Sequence, residues 1–213
     1  MWTWPTKVST KMPDGTRLTL RPMQRNDREA WDAMRARNFE WLKPWESTNP
    51  RGVDNVSPPF SRLRRSYDRA AREGRLVPFV IDAGEGPVGQ MHLFEIQWGA
   101  RWTASAGYWL DQSVTGRGLA TWALAMLLDH GLTDVGLHRI EINIRPENTA
   151  SIKVVERLGL RPEGMREGLI FVDGAWRDHL TYVVTAEHRY AGHMVRALKL
   201  GELRESTDWD PHN

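Results

Sequence analysis

The 213-residue chain has no cysteine, which excludes disulfides, thiolate nucleophiles and zinc–thiolate sites together. It also lacks a long hydrophobic run. The longest, 119–128, is about half a membrane span. The N-terminus, M-W-T-W-P-T-K, carries no secretion-signal pattern, so a cytoplasmic location is expected. Charge of one sign is scarce as well: the net value is +2, and no global field calls for nucleic acid. There is no internal repeat. What remains is an ordinary globular mixture, 40% hydrophobic and 26% charged, enough to build one domain of generous size around a core.

Taken in order, residues 1–15 read as an extension ending in the turn Pro13-Asp14-Gly15. Alternation over 16–21 (T-R-L-T-L-R) predicts a first strand, stopped by Pro22. Asn26 or Asp27 caps a helix to about Arg37, and the aromatic, proline-broken stretch 39–50 reads as a compact loop or broken helix. Residues 49–60 show no period and read as loop. A basic helix follows over 61–75, carrying Arg62, Arg64, Arg65, Arg69, Arg72 and Arg75. A solvated face explains it, and so does contact with RNA or an acidic protein. Strands are expected at 76–83 and 87–96 around Gly84-Glu85-Gly86, then at 103–110. A largely apolar helix spans 118–133, with His130 packed at its end. Residues 138–145 alternate as a strand, and Asn148 caps a short helix closed by Gly159. Strands at 169–172 and 179–184 form a final hairpin, 186–203 a terminal helix, and the last ten residues fray. This order is α+β with a mixed sheet rather than an alternating nucleotide fold.

The chain is organised around one junction, G-Y-W-L-D-Q-S-V-T-G-R-G-L-A, where a strand passes through a glycine turn into the long helix. Such a turn aims several backbone N–H groups into one concavity, and the helix dipole adds about half a positive charge there. It is a cradle for an anion such as a pyrophosphate. No Lys-Ser or Lys-Thr follows Gly118, so it is not a Walker loop, and Ala120-Thr121 breaks the nicotinamide fingerprint.

Thr115-x-x-Gly118-x-Ala120 resembles the [QR]-x-x-G-x-[GA] signature with which GCN5-related N-acetyltransferases hold acetyl-CoA, with Thr115 where Gln or Arg is usual. R-L-T-L-R-P with N-D-R-E-A-W is similar to that family's first strand and helix, and R-P-E-N-T-A-S-I-K-V-V-E-R-L-G-L to the segment after its pyrophosphate loop. D-G-A-W-R-D-H and L-K-P-W-E resemble the subgroup of ribosomal-protein alanine N-acetyltransferases that acts on the N-terminal alanine of ribosomal protein S5.

The resemblance implies an acetyltransferase domain over 16–185, a C-terminal helix and tail over 186–213, and two splayed central strands. It places the pantetheine arm along the backbone of Leu110 and Gln112, and the pyrophosphate on Thr115, Gly116, Arg117, Gly118, Leu119 and Ala120. Gly116 and Gly118 keep Cβ atoms away, and any side chain at Gly118 should clash. Asn148 and Ser151 would lie near the thiol, with Ser151 as candidate proton donor, because the family's usual tyrosine position falls on Val154 or Val155. Candidate bases acting through water are Glu46, Glu95, His92 and Glu141; Trp45, Glu46 and Tyr108 are candidate contacts to the acceptor. No metal is expected.

Amine chemistry narrows the acceptor. An α-amine, with a pKa of roughly 7.7–8.0, is about a quarter or more neutral near pH 7.5, whereas a lysine near ~10.4 is handicapped by about 4 kcal/mol. A site without a strong base therefore suits N-terminal amines. Acetylation of a small-molecule amine, or a non-catalytic acyl-CoA-binding factor at the ribosome, are the alternatives.

Overall fold

The computed structural model describes residues 2–52, 58–188 and 190–203. Part of the loop expected at 49–60 and the expected frayed terminus fall outside them. Eight strands form one sheet: β1 (Val8–Lys11), β2 (Arg17–Arg21), β3 (Val77–Asp82), β4 (Pro87–Gln97), β5 (Thr103–Leu110), β6 (Arg139–Ile144), β7 (Arg161–Val172) and β8 (Ala175–Thr185). Their spatial order is β1-β2-β3-β4-β5-β6-β8-β7. Every neighbouring pair is antiparallel except β5 and β6. The helices are α1 (Arg28–Arg37), α2 (Phe39–Leu42), α3 (Phe60–Arg72), α4 (Leu119–Thr133), α5 (Thr149–Arg157) and α6 (Met194–Leu200).

Side chains on successive strand residues point to opposite faces, so a strand with no polar alternation needs cover on both. β3 is such a strand. Phe79 and Ile81 join the main core with α4, while Val80 joins Trp31, Met34 and Phe60 on the side of α1 and α3. α4 is apolar around most of its circumference and correspondingly buried, with Leu124, Leu127 and Leu128 fully enclosed.

Three expectations are corrected. Residues 8–11 belong to the sheet as β1, with Val8 opposite Leu20, and Trp4 is buried against Phe79 at 5.7 Å, so the N-terminal segment is no extension. The last hairpin is far longer than 169–184. Residues 161–168 carry a proline, two glycines and four charges, yet they pair as an edge strand, where bulges and charged residues are tolerated. The terminal helix shrinks to α6, because residues 190–193 turn through Gly192, whose φ is +74 and whose Cβ would lie 2.5 Å from Thr133 Cγ2. Asp129 of α4 accepts the amides of Met194 and Val195 at 2.8 and 3.0 Å and so starts the shorter helix.

Candidate functional site

β5 and β6 pair only at Thr103–Arg139, Ala104–Ile140 and Ser105–Glu141. Beyond that point β5 continues to Leu110 and β6 to Ile144 without pairing, so the sheet opens in a wedge. Asp111 N–H donates to Val88 O on the β4 side at 2.9 Å. Backbone groups alternate along a strand, so Tyr108 and Leu110 present theirs to the wedge. Gln112 does not, contrary to expectation. Its N–H donates to Asn38 Oδ1 at 2.9 Å, and its carbonyl accepts from Thr115 N–H and Oγ1–H.

The glycine turn is built as its sequence requires. Gly116 and Gly118 have φ of +79 and +78, a left-handed conformation that costs other residues about 1–2 kcal/mol. A Cβ on Gly118 meets nothing nearer than Trp122 Cδ1 at 4.0 Å, so the demand that the protein itself makes at this position is conformational. Gly118 caps α4 without a side-chain hydrogen bond. Among the described residues, the amides of Gly116, Arg117, Gly118, Leu119 and Ala120 have no hydrogen-bond partner, and they lie at the positive end of a 15-residue helix.

The turn is anchored from behind. Asp111, buried, accepts from Arg37, from Asn38 Nδ2 at 3.0 Å and from Ser113 N–H at 3.1 Å. Burial alone would push this carboxyl up; the hydrogen bonds from Arg37, Asn38 and Ser113 outweigh it and hold the group at about 2. The end of α1 and the entry to the turn are thereby fixed to each other. No motif marked this pairing in the sequence, where its members stand more than 70 residues apart.

A cavity of about 1250 Å³ occupies the wedge, lined by β4, β5, β6, the hairpin β7–β8 and residues 45–50. That last segment closes it as a roof. Thr48 N–H donates to Phe171 O at 2.9 Å, Ser47 bridges to Val172, and Arg145 donates to Pro44 O at 2.7 Å while lying over the Trp45 ring at 5.4 Å. Of the expected site residues, Trp45, Glu46, Glu95, Tyr108, Asn148 and Ser151 line this space, as do His92 and Glu141. Leu110, Gln112 and residues 115–120 do not. The arginines of α3 lie outside it also, although Tyr67 on the same helix contributes to the lining.

The carboxylates of the cavity differ in state. Glu46 takes both oxygens to Arg35, at 2.5 and 2.9 Å, and Arg35 in turn lies over Trp109. A substrate ammonium reaching Glu46 would share the carboxylate with Arg35, using the second lone pair of each oxygen. Glu141 pairs with Arg139 and Arg166, both at 2.9 Å. Glu95 has no cationic partner among the described residues. It stands at the β4 bulge with φ +52 and accepts from Ser105 Oγ at 3.1 Å. His92 is held neutral by burial, which pushes it down to about 4, and it packs edge-on to Phe94 at 5.2 Å.

Donors are present as well. Tyr108 Oη is enclosed with no hydrogen-bond partner. Burial pushes the phenol up to about 12, and Ser151 offsets this slightly without completing a hydrogen bond. Asn148 Oδ1 accepts Ser151 N–H at 3.1 Å and so caps α5, as expected from its position. Val154 and Val155 are buried, and the face of α5 that they occupy offers no hydroxyl. Among the described residues no cluster could hold a metal ion, and no helix is long and apolar enough to cross a membrane. Sequence reasoning missed Arg35, Asn143 and His179 in the lining. His179 stands in the D-G-A-W-R-D-H segment and could have been drawn from it.

Residues 17–161 match the family model described as an acetyltransferase (GNAT) domain. The chain is 39% identical to RimJ of Mycobacterium smegmatis, solved in complex with CoA-disulfide, over 93% of this chain and 96% of that one, with a TM-score of 0.84. It is 29% identical to the [ribosomal protein uS5]-alanine N-acetyltransferase of Escherichia coli K12, over 75% of this chain and 84% of the relative. A ribosomal-protein-S5-alanine acetyltransferase from Vibrio fischeri, 22% identical over 85% of this chain and 98% of that one, shares the fold with a TM-score of 0.73.

Proposed function

The chain belongs to the GNAT acetyltransferase family, whose members here are acetyl-CoA-dependent N-acetyltransferases, and from that premise we propose that its acceptor is a protein N-terminus, the N-terminal alanine of ribosomal protein S5. The observation that carries this reading is the charge of the cavity. Five arginines (Arg35, Arg101, Arg139, Arg145 and Arg166) line it against Glu46, Glu95 and Glu141, and two of those glutamates are consumed by arginines. A polyamine, cationic along its length, meets repulsion there. A single α-ammonium at the end of an extended peptide meets one unpaired carboxylate, Glu95.

In this reading the coenzyme's pyrophosphate rests on the free amides of residues 116–120, and its arm lies along Tyr108 and Leu110, bringing the thioester beside Asn148 and Ser151. The amine nitrogen bonds to the acetyl carbon as the carbon–sulfur bond breaks. The proton it sheds passes through water to Glu95. Ser151 and Tyr108 are the hydroxyls available to the departing thiolate, which, as a thiol of pKa near ~8.5, leaves readily without much help. His92, being neutral, adds no positive charge against the incoming ammonium.

The test is release of CoA from acetyl-CoA with a peptide copying the S5 N-terminus, beside the same peptide with a blocked amine and beside spermidine. Turnover confined to the free α-amine is expected. Faster turnover of spermidine than of any alanine- or serine-starting peptide would refute the assignment.

A further inference from the structure

The arginines of α3 fall into two groups. Arg62, Arg65, Arg69 and Arg72 are exposed and recur at steps of three and four residues. At about 100° and 1.5 Å per residue, they share a sector about 80° wide and about 15 Å long. The opposite face puts Phe60, Leu63 and Tyr67 against Trp31 and Val80. The acidic residues of this segment are engaged elsewhere. Asp68 accepts from Arg64 at 3.0 Å and from Trp4 Nε1 at 3.2 Å, and Glu73 pairs with Arg75. Of the four stripe arginines, Arg72 reaches the Trp4 carbonyl, at 3.5 Å.

A second feature lies where the helix ends. Trp98 Nε1 donates to Gly74 O at 3.2 Å, two residues beyond Arg72, and stands edge-on to Trp102 with ring centroids 5.2 Å apart. The two rings are 40% and 46% exposed. Guanidinium groups match phosphate oxygens bidentately, and exposed tryptophan faces stack on unpaired bases. An acidic protein surface would engage the arginines and give the tryptophans no role. A duplex would keep its bases from them.

We propose that α3 and the Trp98–Trp102 pair form a docking surface for a single-stranded stretch of RNA, with phosphates on Arg62, Arg65, Arg69 and Arg72 and a base on the tryptophans. None of these six residues lines the cavity, and the surface is independent of the acceptor; only the choice of ribose over deoxyribose rests on the ribosomal acceptor proposed above.

The test is fluorescence anisotropy of the full chain with an end-labelled single-stranded RNA across a salt series. Four phosphate contacts predict that log K falls with log salt at a slope of about −3. The triple variant R62Q/R65Q/R69Q should flatten that slope by about two. Trp98→Leu should weaken binding about tenfold at unchanged slope, while Trp98→Phe, which keeps a ring, retains most of it. Binding absent at low salt, a slope untouched by the triple variant, or indifference to Trp98→Leu overturns the proposal. So does tighter binding of a duplex, of the deoxy strand or of polyglutamate. Peptide acetylation, measured on the same variants, should stay at the wild-type level. A wild-type chain that acetylates the S5 peptide but binds no RNA sinks this inference alone, whereas RNA binding without turnover of the S5 peptide sinks the acceptor assignment alone.

Discussion

Asn38 holds Gln112 in place: its Oδ1 accepts the Gln112 backbone N–H at 2.9 Å, while its Nδ2 donates to Asp111 at 3.0 Å. One buried side chain at the end of α1 thus satisfies both sides of the short link that leads from β5 into the glycine turn. The turn is presented by a clamp, and the clamp can be tested apart from the turn.

Replacing Asn38 with Leu removes the acceptor of the part-buried Gln112 amide and leaves Asp111 Oδ1 with Ser113 N–H as its one remaining donor. The cost should be about 1–3 kcal/mol, seen as a lower midpoint in urea. KM for acetyl-CoA should rise more than KM for the peptide, because the turn and not the cavity is disturbed. An equal rise in both would show that the clamp does not position the turn.

Asp111 links the same clamp to pH. Its folded pKa, about 2, lies below the ordinary carboxylate value, so its ionised form stabilises the folded chain above pH ~4. That contribution should disappear as pH falls from about 4 to about 2. It amounts to roughly 2 kcal/mol. Asp111→Asn should be less stable at neutral pH and should lose less stability across that window. Parallel stability–pH curves for the two proteins would contradict the assignment.

Gly89 sits opposite Leu110, and a Cβ there would lie 2.3 Å from the Trp109 carbonyl oxygen and 3.0 Å from Leu110 Cα. These are backbone atoms and cannot swing aside. Gly89→Ala should push β4 from β5 beside the wedge, at a cost of about 2–3 kcal/mol. Calorimetry should show weaker CoA binding by the fraction that remains folded. A variant as stable as the parent would mean the strands can part there freely.

Glu95→Gln and Glu46→Gln should differ in kind. With Glu95 as the proton acceptor, its replacement should lower kcat about 100-fold near pH 7 and leave the melting temperature nearly unchanged. The defect should shrink above pH 9, where the α-amine is already neutral. Glu46→Gln instead frees Arg35 and loosens the roof, so peptide KM should rise while kcat holds. Swapped signatures would reverse the two roles.

The parts of this site that could be read in the sequence are those whose chemistry is local. Two glycines at left-handed positions, a helix start without a capping side chain and an asparagine three residues before a serine declare themselves over a few positions. Contacts across long stretches of chain leave no such trace. Asn38 and Asp111 are ordinary residues until the fold joins them, and Glu46 looks free until Arg35 reaches it. β1 was hidden because four residues, V-S-T-K, carry no readable period. Residues 161–168 escaped because an edge strand accepts proline, glycine and charge that an interior strand would not.

The sheet is held across its middle by three residue pairs between β5 and β6, after which it has a seam. A coenzyme arm lying in that seam would act as the missing rungs of the ladder, lending its amides where a neighbouring strand stops short. The small molecule would then be a building element as well as a reactant. How firmly the two halves of this protein hold together would track how much of it is around, by the usual logarithm of concentration over Kd.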